Sequence, residues 1–227
     1  MPAGLRSYDD PCGIARALDR VGERWALLVV RELILGPKRF TDLRAGLPNA
    51  SPNVLAQRLR ELEECGAIQR RHLPPPANAT VYELTPWGLE LETVILALGR
   101  WGSRATPVPS GDLSVDALIL ALETTFAPAL AEGFRARIEL RLGADVFCFT
   151  VAKKALAVAR GPCEDRDALI QTDAVSLRQL TFGRRDLGRA RRTGDVSVEG
   201  DEAIAARFLS LFPRPAAVQV GGATSAD

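Results

Sequence analysis

Between positions 51 and 64 the chain places Asn53, Gln57 and Arg60 on one side of a helical projection, with Ser51, Val54 and Arg58 on its flanks. Leu55, Leu59 and Leu62 fall in one narrow stripe on the other side, the spacing of a helix that turns one face to a core. The polar set therefore points outward. An Asn or Gln side-chain amide can pair with an adenine edge, and an Arg fork suits guanine or a phosphate. Ser51 followed by Pro52 marks the helix start, where free backbone N–H groups suit an anion. Lys38 and Arg39, at the start of a preceding short helix, are placed for backbone phosphates. Arg70, Arg71 and His72 lead into Leu73-Pro-Pro-Pro-Ala-Asn78, a segment that cannot be helical, and bring cations to a hairpin tip. Glu61, Glu63 and Glu64 sit in the other half of the helix, away from the reading end. A polar helix face alone is usually just solvated, so the surrounding elements decide between the readings.

Other chemistry is sparsely provided. The chain has 227 residues, 47% of them hydrophobic and 25% charged, with a net charge of +1. Bulk charge therefore does not mark a nucleic-acid binder, and any affinity must come from local clustering. None of the four cysteines forms a CxxC pair, and His72 is the only histidine, so no metal site is expected. There is no Ser/His/Asp grouping and no phosphate-cradling loop, so no catalytic residue, enzymatic activity or cofactor is expected. Cys12 precedes the first helix, whose N-terminus favours a thiolate, which makes it a candidate redox sensor beside the plainer reading of a small apolar residue. Cys65 reads as packing, Cys148 as part of a core strand, and Cys163 as an exposed turn residue. No secretory h-region precedes Pro11 and no apolar run is long enough for a membrane span. The expectation is a soluble cytoplasmic protein with reduced thiols.

The elements that must position these residues read as two domains. In residues 1–104, Ile14, Leu18 and Val21 have helical spacing, as do Trp25, Leu28, Val29 and Leu33, before Gly36-Pro37 stops the second helix. Phe40 and Leu43 mark a short third helix, and 51–64 a fourth that Gly66 ends. Residues 67–71 and 80–84 form a hairpin, and Thr85-Pro86 starts a final helix. Three helices and a turn, the reading helix, a hairpin wing and a last helix make a winged helix-turn-helix. Residues 105–112, with two prolines and a glycine, read as a linker. Residues 113–213 form an α+β domain: a helix capped by Ser114, an alternating strand over 134–142, further antiparallel strands at 146–151, 155–159 and 168–170, helices at 174–181 and 186–191, a strand at 196–198 and a last helix capped by Asp201. The tail 214–227 reads as flexible.

The stretches Leu18-Asp-Arg-Val-Gly-Glu-Arg-Trp25, Arg39-Phe-Thr-Asp-Leu43, Leu55-Ala-Gln-Arg-Leu-Arg-Glu-Leu62 and Val81-Tyr-Glu-Leu-Thr-Pro-Trp-Gly88 resemble, in order, the HxlR family of bacterial regulators over about residues 8–104. The resemblance implies a DNA-binding homodimer on a two-fold site, joined through the helix at 86–104 and the N-terminal helix. It also implies thiol sensing at Cys12, as in some members. The later run Leu180-Thr-Phe-Gly-Arg-Arg185, Gly194-Asp-Val-Ser-Val-Glu-Gly-Asp201 and Arg207-Phe-Leu-Ser-Leu-Phe212 resembles the sterol carrier protein 2 fold. That implies an apolar tunnel for a lipid or acyl chain, lined by Phe126, Leu177, Leu180, Phe182, Phe208 and Leu211. Taken singly, each of these reads first as a core residue. The arginine cluster Arg184, Arg185, Arg189, Arg191 and Arg192 reads as a solvated surface or a clamp for an anionic headgroup. Two functions follow as expectations: a DNA-binding regulator with an apolar effector, or a lipid carrier whose winged helix serves for dimerisation.

Overall fold

The computed structural model of the chain describes residues 7–108, 111–183 and 185–218. Two compact units emerge, residues 1–95 with 113–120 and residues 96–112 with 121–227. The sequence boundaries, 1–104 and 113–213, differ from this division. The start of the helix capped by Ser114 clusters with the first unit, because Ser114 and Asp116 bond there to Glu32 and Lys38. Of the expected linker 105–112, residues 109 and 110 lie outside the described residues.

The first unit holds α1 (Gly13–Val21), α2 (Ala26–Leu33), α3 (Phe40–Gly46) and α4 (Pro52–Glu64), then β1 (Ile68–Leu73) and β2 (Ala79–Leu84), then α5 (Pro86–Leu89). Next comes α6 (Leu91–Gly102), whose first residues belong to this unit. Val29, Val30, Leu33, Leu43, Leu55, Leu59, Leu62 and Ile68 are its buried core. β1 and β2 pair antiparallel from Ile68 opposite Leu84 to Leu73 opposite Ala79, and Lys38 adds a bridge to Tyr82. Gly66 ends α4 at φ +81°, a conformation a side chain would strain. Gly88 permits a closer contact: a Cβ there would stand 1.9 Å from the Ala67 carbonyl oxygen, so only glycine lets α5 lie on the start of the wing.

One expectation changes here. The helix predicted over 86–104 is two helices, α5 and α6, meeting at Glu90. In α1, Ile14 is 72% and Leu18 43% exposed, so these two residues form an outward apolar face of that helix.

The second unit takes in the end of α7 (Val115–Thr125), a 3-10 turn (Pro128–Ala131), β3 (Ala136–Leu142), β4 (Asp145–Ala152), β5 (Ala155–Arg160), β6 (Ala168–Thr172), α8 (Ala174–Thr181), α9 (Leu187–Arg192), β7 (Val196–Gly200) and α10 (Glu202–Leu209). The strands form one sheet in the order β5-β4-β3-β6-β7. The α+β class stands, but the sheet is mixed and not antiparallel, since β6 runs parallel to β3, with Ile138 opposite Ala168. The cause is the crossover 161–167, which carries the chain from the β5 edge past β4 and β3 before β6 begins. Ile138, Leu140, Phe147, Phe149 and Val151 fill the inner face with Phe208 and Phe212. Asp173, Asp186 and Asp201 each cap a helix by accepting backbone N–H groups. From the expected tail, residues 214–218 are described and Val218 donates its N–H to the Arg104 carbonyl; residues 219–227 lie outside the described residues.

The cysteines also depart from expectation. Cys148 and Cys163 are joined by a disulfide, while Cys12 and Cys65 are free. Cys163 is only 9% exposed, since the crossover folds it against the sheet. Cys148 alternates with the inward-facing Phe147 and Phe149, so it sits on the outer face of β4 and not in the core.

Candidate nucleic-acid interface

The α3–turn–α4 unit is fixed from its ends. Asp42 accepts the Arg39 N–H at 3.1 Å and holds the first turn of α3. The connecting turn buries Leu47 and Ala50 and closes through Ala50 N–H to the Leu47 carbonyl at 3.0 Å. The Ser51 hydroxyl then accepts the Val54 N–H at 3.3 Å and Pro52 opens α4. With Leu55, Leu59 and Leu62 at 1% exposure or less, α4 cannot rotate, and Pro52, Asn53, Gln57 and Arg60 all face outward.

The outward residues differ in how freely they are held. Asn53 is exposed at the first turn. Gln57 donates to Glu61 at 2.7 Å and accepts from Arg60, so its amide must leave intramolecular partners to meet a base. Arg58 is a correction. Its side chain is 14% exposed and lies 2.6 Å from Glu61 and 3.4 Å from Glu23, so the flank position expected to reach outward is turned into the fold.

Lys38 is the second correction. Its ammonium pairs with Glu32 at 2.8 Å and with Asp116, and is 14% exposed. Glu32 is fully buried and also takes bonds from Arg31 at 2.8 Å and Ser114 at 2.7 Å. A lysine so enclosed supports the fold and presents no cation to a phosphate. Its neighbour Arg39 is exposed and leans to the Ala77 carbonyl of the wing tip.

In the wing, Arg70 is 2.8 Å from Glu63 and Arg71 2.8 Å from Glu83. The bond and charge of Glu63 hold Arg70 above its ordinary range, while Glu83 is held below the usual carboxylate range by the Gln69 hydrogen bond and then by Arg71, against the effect of burial. These pairs are at the surface, where such contacts are weak, so both arginines can exchange a carboxylate for a phosphate. His72 is exposed opposite Thr80. Arg44, exposed on α3, escapes sequence reasoning because one cation in a short helix leaves no periodic signal. It lies on the helix that precedes the reader, the element that crosses the phosphate backbone in such motifs.

Cys12 is exposed at the N-cap of α1, with its N–H donating to Asp10 at 2.8 Å. Of the expected apolar lining, Leu177, Phe208 and Leu211 are fully buried, while Phe126, Leu180 and Phe182 are half-buried. Phe208 packs edge-on to Phe149 and Phe212 at 5.2 and 5.1 Å. Within the arginine cluster, Arg185 is neutralised by Asp195; Arg184 lies outside the described residues. No helix among the described residues is long and apolar enough to cross a membrane.

A helix-turn-helix whose second helix presents amide and guanidinium groups, followed by a cationic hairpin, defines a winged-helix DNA-binding module. Known proteins agree. The family model of HxlR-like helix-turn-helix proteins matches residues 20–109. An uncharacterized HTH-type transcriptional regulator of Bacillus subtilis, YvaP, is 35% identical over 89 residues, which are 39% of this chain and 82% of that protein. The HTH-type transcriptional regulator YodB of the same organism is 34% identical over 39% of this chain and 79% of its own length. An uncharacterized HTH-type regulator of Mycobacterium bovis is 39% identical over 43% of this chain and 61% of its own. Among solved structures, the reduced form of YodB aligns at 32% identity and a TM-score of 0.38, over 44% of this chain and 98% of that one. The chain belongs to the HxlR-like helix-turn-helix family, a family of DNA-binding regulators.

Proposed function

We propose that the protein is a sequence-specific transcription regulator that binds a two-fold DNA site as a homodimer and carries an effector-binding C-terminal unit. The observation that carries the DNA reading is the locked orientation of α4. Its leucine stripe is buried and its first turn is capped, so Asn53 and Gln57 project from the end that enters a major groove. Arg60 follows on the same face, Ser51 and Pro52 offer the helix N-terminus to a phosphate, and Arg39, Arg70, Arg71 and His72 supply backbone contacts.

The dimer reading rests on apolar surface. Ile14 and Leu18 in α1, Trp87 and Leu89 in α5, and Val94, Leu98 and Trp101 in α6 are between 43% and 76% exposed. Solvated apolar area of this kind favours cover by a partner surface, and a second copy covers it symmetrically. The effector reading is an apolar or lipid-like molecule entering beside the half-buried Phe126, Leu180 and Phe182 and displacing packing around Leu177, Phe208 and Leu211. Such a ligand changes DNA affinity only if it prefers one arrangement of the two reading helices. Cys12, exposed at a helix start, is the thiol that would add oxidant sensing.

The test is binding of the purified protein to its own upstream DNA at fixed salt, against scrambled competitor. Selective binding that weakens in an Asn53→Ala, Gln57→Ala double variant supports the reading. Equal affinity for both DNAs under reducing conditions overturns it and leaves the winged helix as a dimerisation device.

A further inference from the structure

The disulfide of the second unit sits where both of its redox states can be held. The crossover 161–167 lies on the outer face of the sheet and is attached there independently of sulfur. Glu139 of β3, fully buried, accepts the Cys163 N–H at 3.0 Å and a bond from the Arg166 guanidinium at 3.1 Å. Arg141 binds the same carboxylate at 2.8 Å. Burial opposes the charge on Glu139, yet the Cys163 N–H and the arginines outweigh it and hold the carboxyl below its usual range. Further ties hold the crossover: among them, Asp167 accepts the Arg137 N–H at 2.7 Å and donates its own N–H to the Arg137 carbonyl at 2.9 Å, and the Glu164 carbonyl accepts from the Arg137 side chain at 3.2 Å. None of these bonds needs the disulfide. The sulfur of Cys163 also lies 3.5 Å from the Ile138 carbonyl oxygen, an acceptor for a thiol once the bond is opened. Cys148 faces Glu139 across the β3–β4 ladder and is the less buried of the two.

We infer that Cys148 and Cys163 form a reversible dithiol–disulfide centre, closed and opened by small thiols and disulfides while the Glu139 anchor keeps the two sulfurs in register. Closure proceeds by exchange. The Cys148 thiolate attacks one sulfur of a low-molecular-weight disulfide and releases one thiolate. The Cys163 thiolate then attacks the Cys148 sulfur of the mixed disulfide and releases the second. Two electrons pass from the protein dithiol to the small disulfide, and excess small thiol reverses both steps. Cys148 takes the mixed disulfide because small reagents reach it first. Cys163, buried and already positioned, resolves it.

The experiment uses the full chain with Cys12→Ser and Cys65→Ser, equilibrated in graded mixtures of reduced and oxidised glutathione, quenched in acid, alkylated and weighed. The expected result is one transition in which two alkylated thiols appear together, reversed on adding oxidised glutathione, with the far-ultraviolet circular dichroism unchanged. In a further Cys163→Ser variant, a single glutathione should stay on Cys148. A Glu139→Gln variant should pass through the same adduct for longer, because resolution loses its anchor. Three results would overturn the inference: a bond that resists excess thiol in the folded protein, reduction that unfolds the second unit, or glutathione accumulating on both cysteines without re-closure.

Discussion

The ammonium of Lys38 stands 2.8 Å from the fully buried carboxylate of Glu32 and shares itself with Asp116. Three charges removed from water are stable only as a set, and removing one member leaves the others uncompensated. A Lys38→Met variant should lose about 3 kcal/mol of stability in urea unfolding, somewhat relieved by the Arg31 contact to Glu32. The same variant should leave the slope of log affinity against log salt unchanged in DNA binding. A slope reduced by about one would mean that Lys38 meets a phosphate after all.

Asn53 and Arg39 separate base reading from backbone attraction. Asn53→Ala should cost about 1–3 kcal/mol on the preferred site and little on scrambled DNA, since a bidentate base contact discriminates by that amount. Arg39→Ala should weaken both DNAs alike and lower the salt slope by about one. Fluorescence anisotropy titrations at several salt concentrations distinguish the two patterns. If Asn53→Ala weakened both DNAs equally, the first turn of α4 would not be the reading end.

Local pattern carried most of the architecture. Ser51-Pro52, Asp201 and the leucine stripe of α4 announce their helices because caps and periodicity act within a few residues. The long-range terms were not legible. Nothing near Glu32 in the apolar run of α2 shows that Lys38 and Ser114 will converge on it or that Asp116 will share the lysine, since Ser114 and Asp116 each lie about eighty positions from the group they bond. The same limit hid the Cys148–Cys163 pairing and the parallel β3–β6 contact, both set by the path of the crossover and not by spacing. Of the candidate DNA residues, α4 was legible as a face, but ion pairing withdrew Arg58 and Lys38, because a basic residue looks the same in sequence whether or not an acid awaits it.

Acid should weaken the second unit through Glu139. A carboxyl held below its ordinary range binds fewer protons in the folded than in the unfolded chain. Its contribution is therefore complete above the unfolded value, about 4.3 for Glu, and is lost as pH falls through the folded value. At neutral pH a Glu139→Gln variant should be roughly 2 kcal/mol less stable, the scale of hydrogen bonds to a charged group. The gap between variant and parent should close as pH drops below about 4. Thermal unfolding followed by circular dichroism across that range reads the gap directly, and a gap that stayed constant would show that Glu139 acts by shape alone.

The exposed row Val94, Leu98 and Trp101 along α6 offers the sharpest test of self-association. Trp101 is 76%, Val94 51% and Leu98 47% exposed, so polar substitutions there need not disturb the fold of one copy. Covering the exposed half of Val94 and Leu98 is worth about 1 kcal/mol each, half the value of full burial, and a two-fold interface counts every one twice. A Val94→Glu, Leu98→Glu variant should therefore sediment as a monomer where the parent sediments as a dimer, with unchanged circular dichroism. It should also lose more than tenfold in affinity for a two-fold DNA site, because each half-site must then be bound independently. A variant that remained dimeric would move the interface to another surface, and one that became monomeric yet bound DNA undiminished would separate dimerisation from DNA recognition.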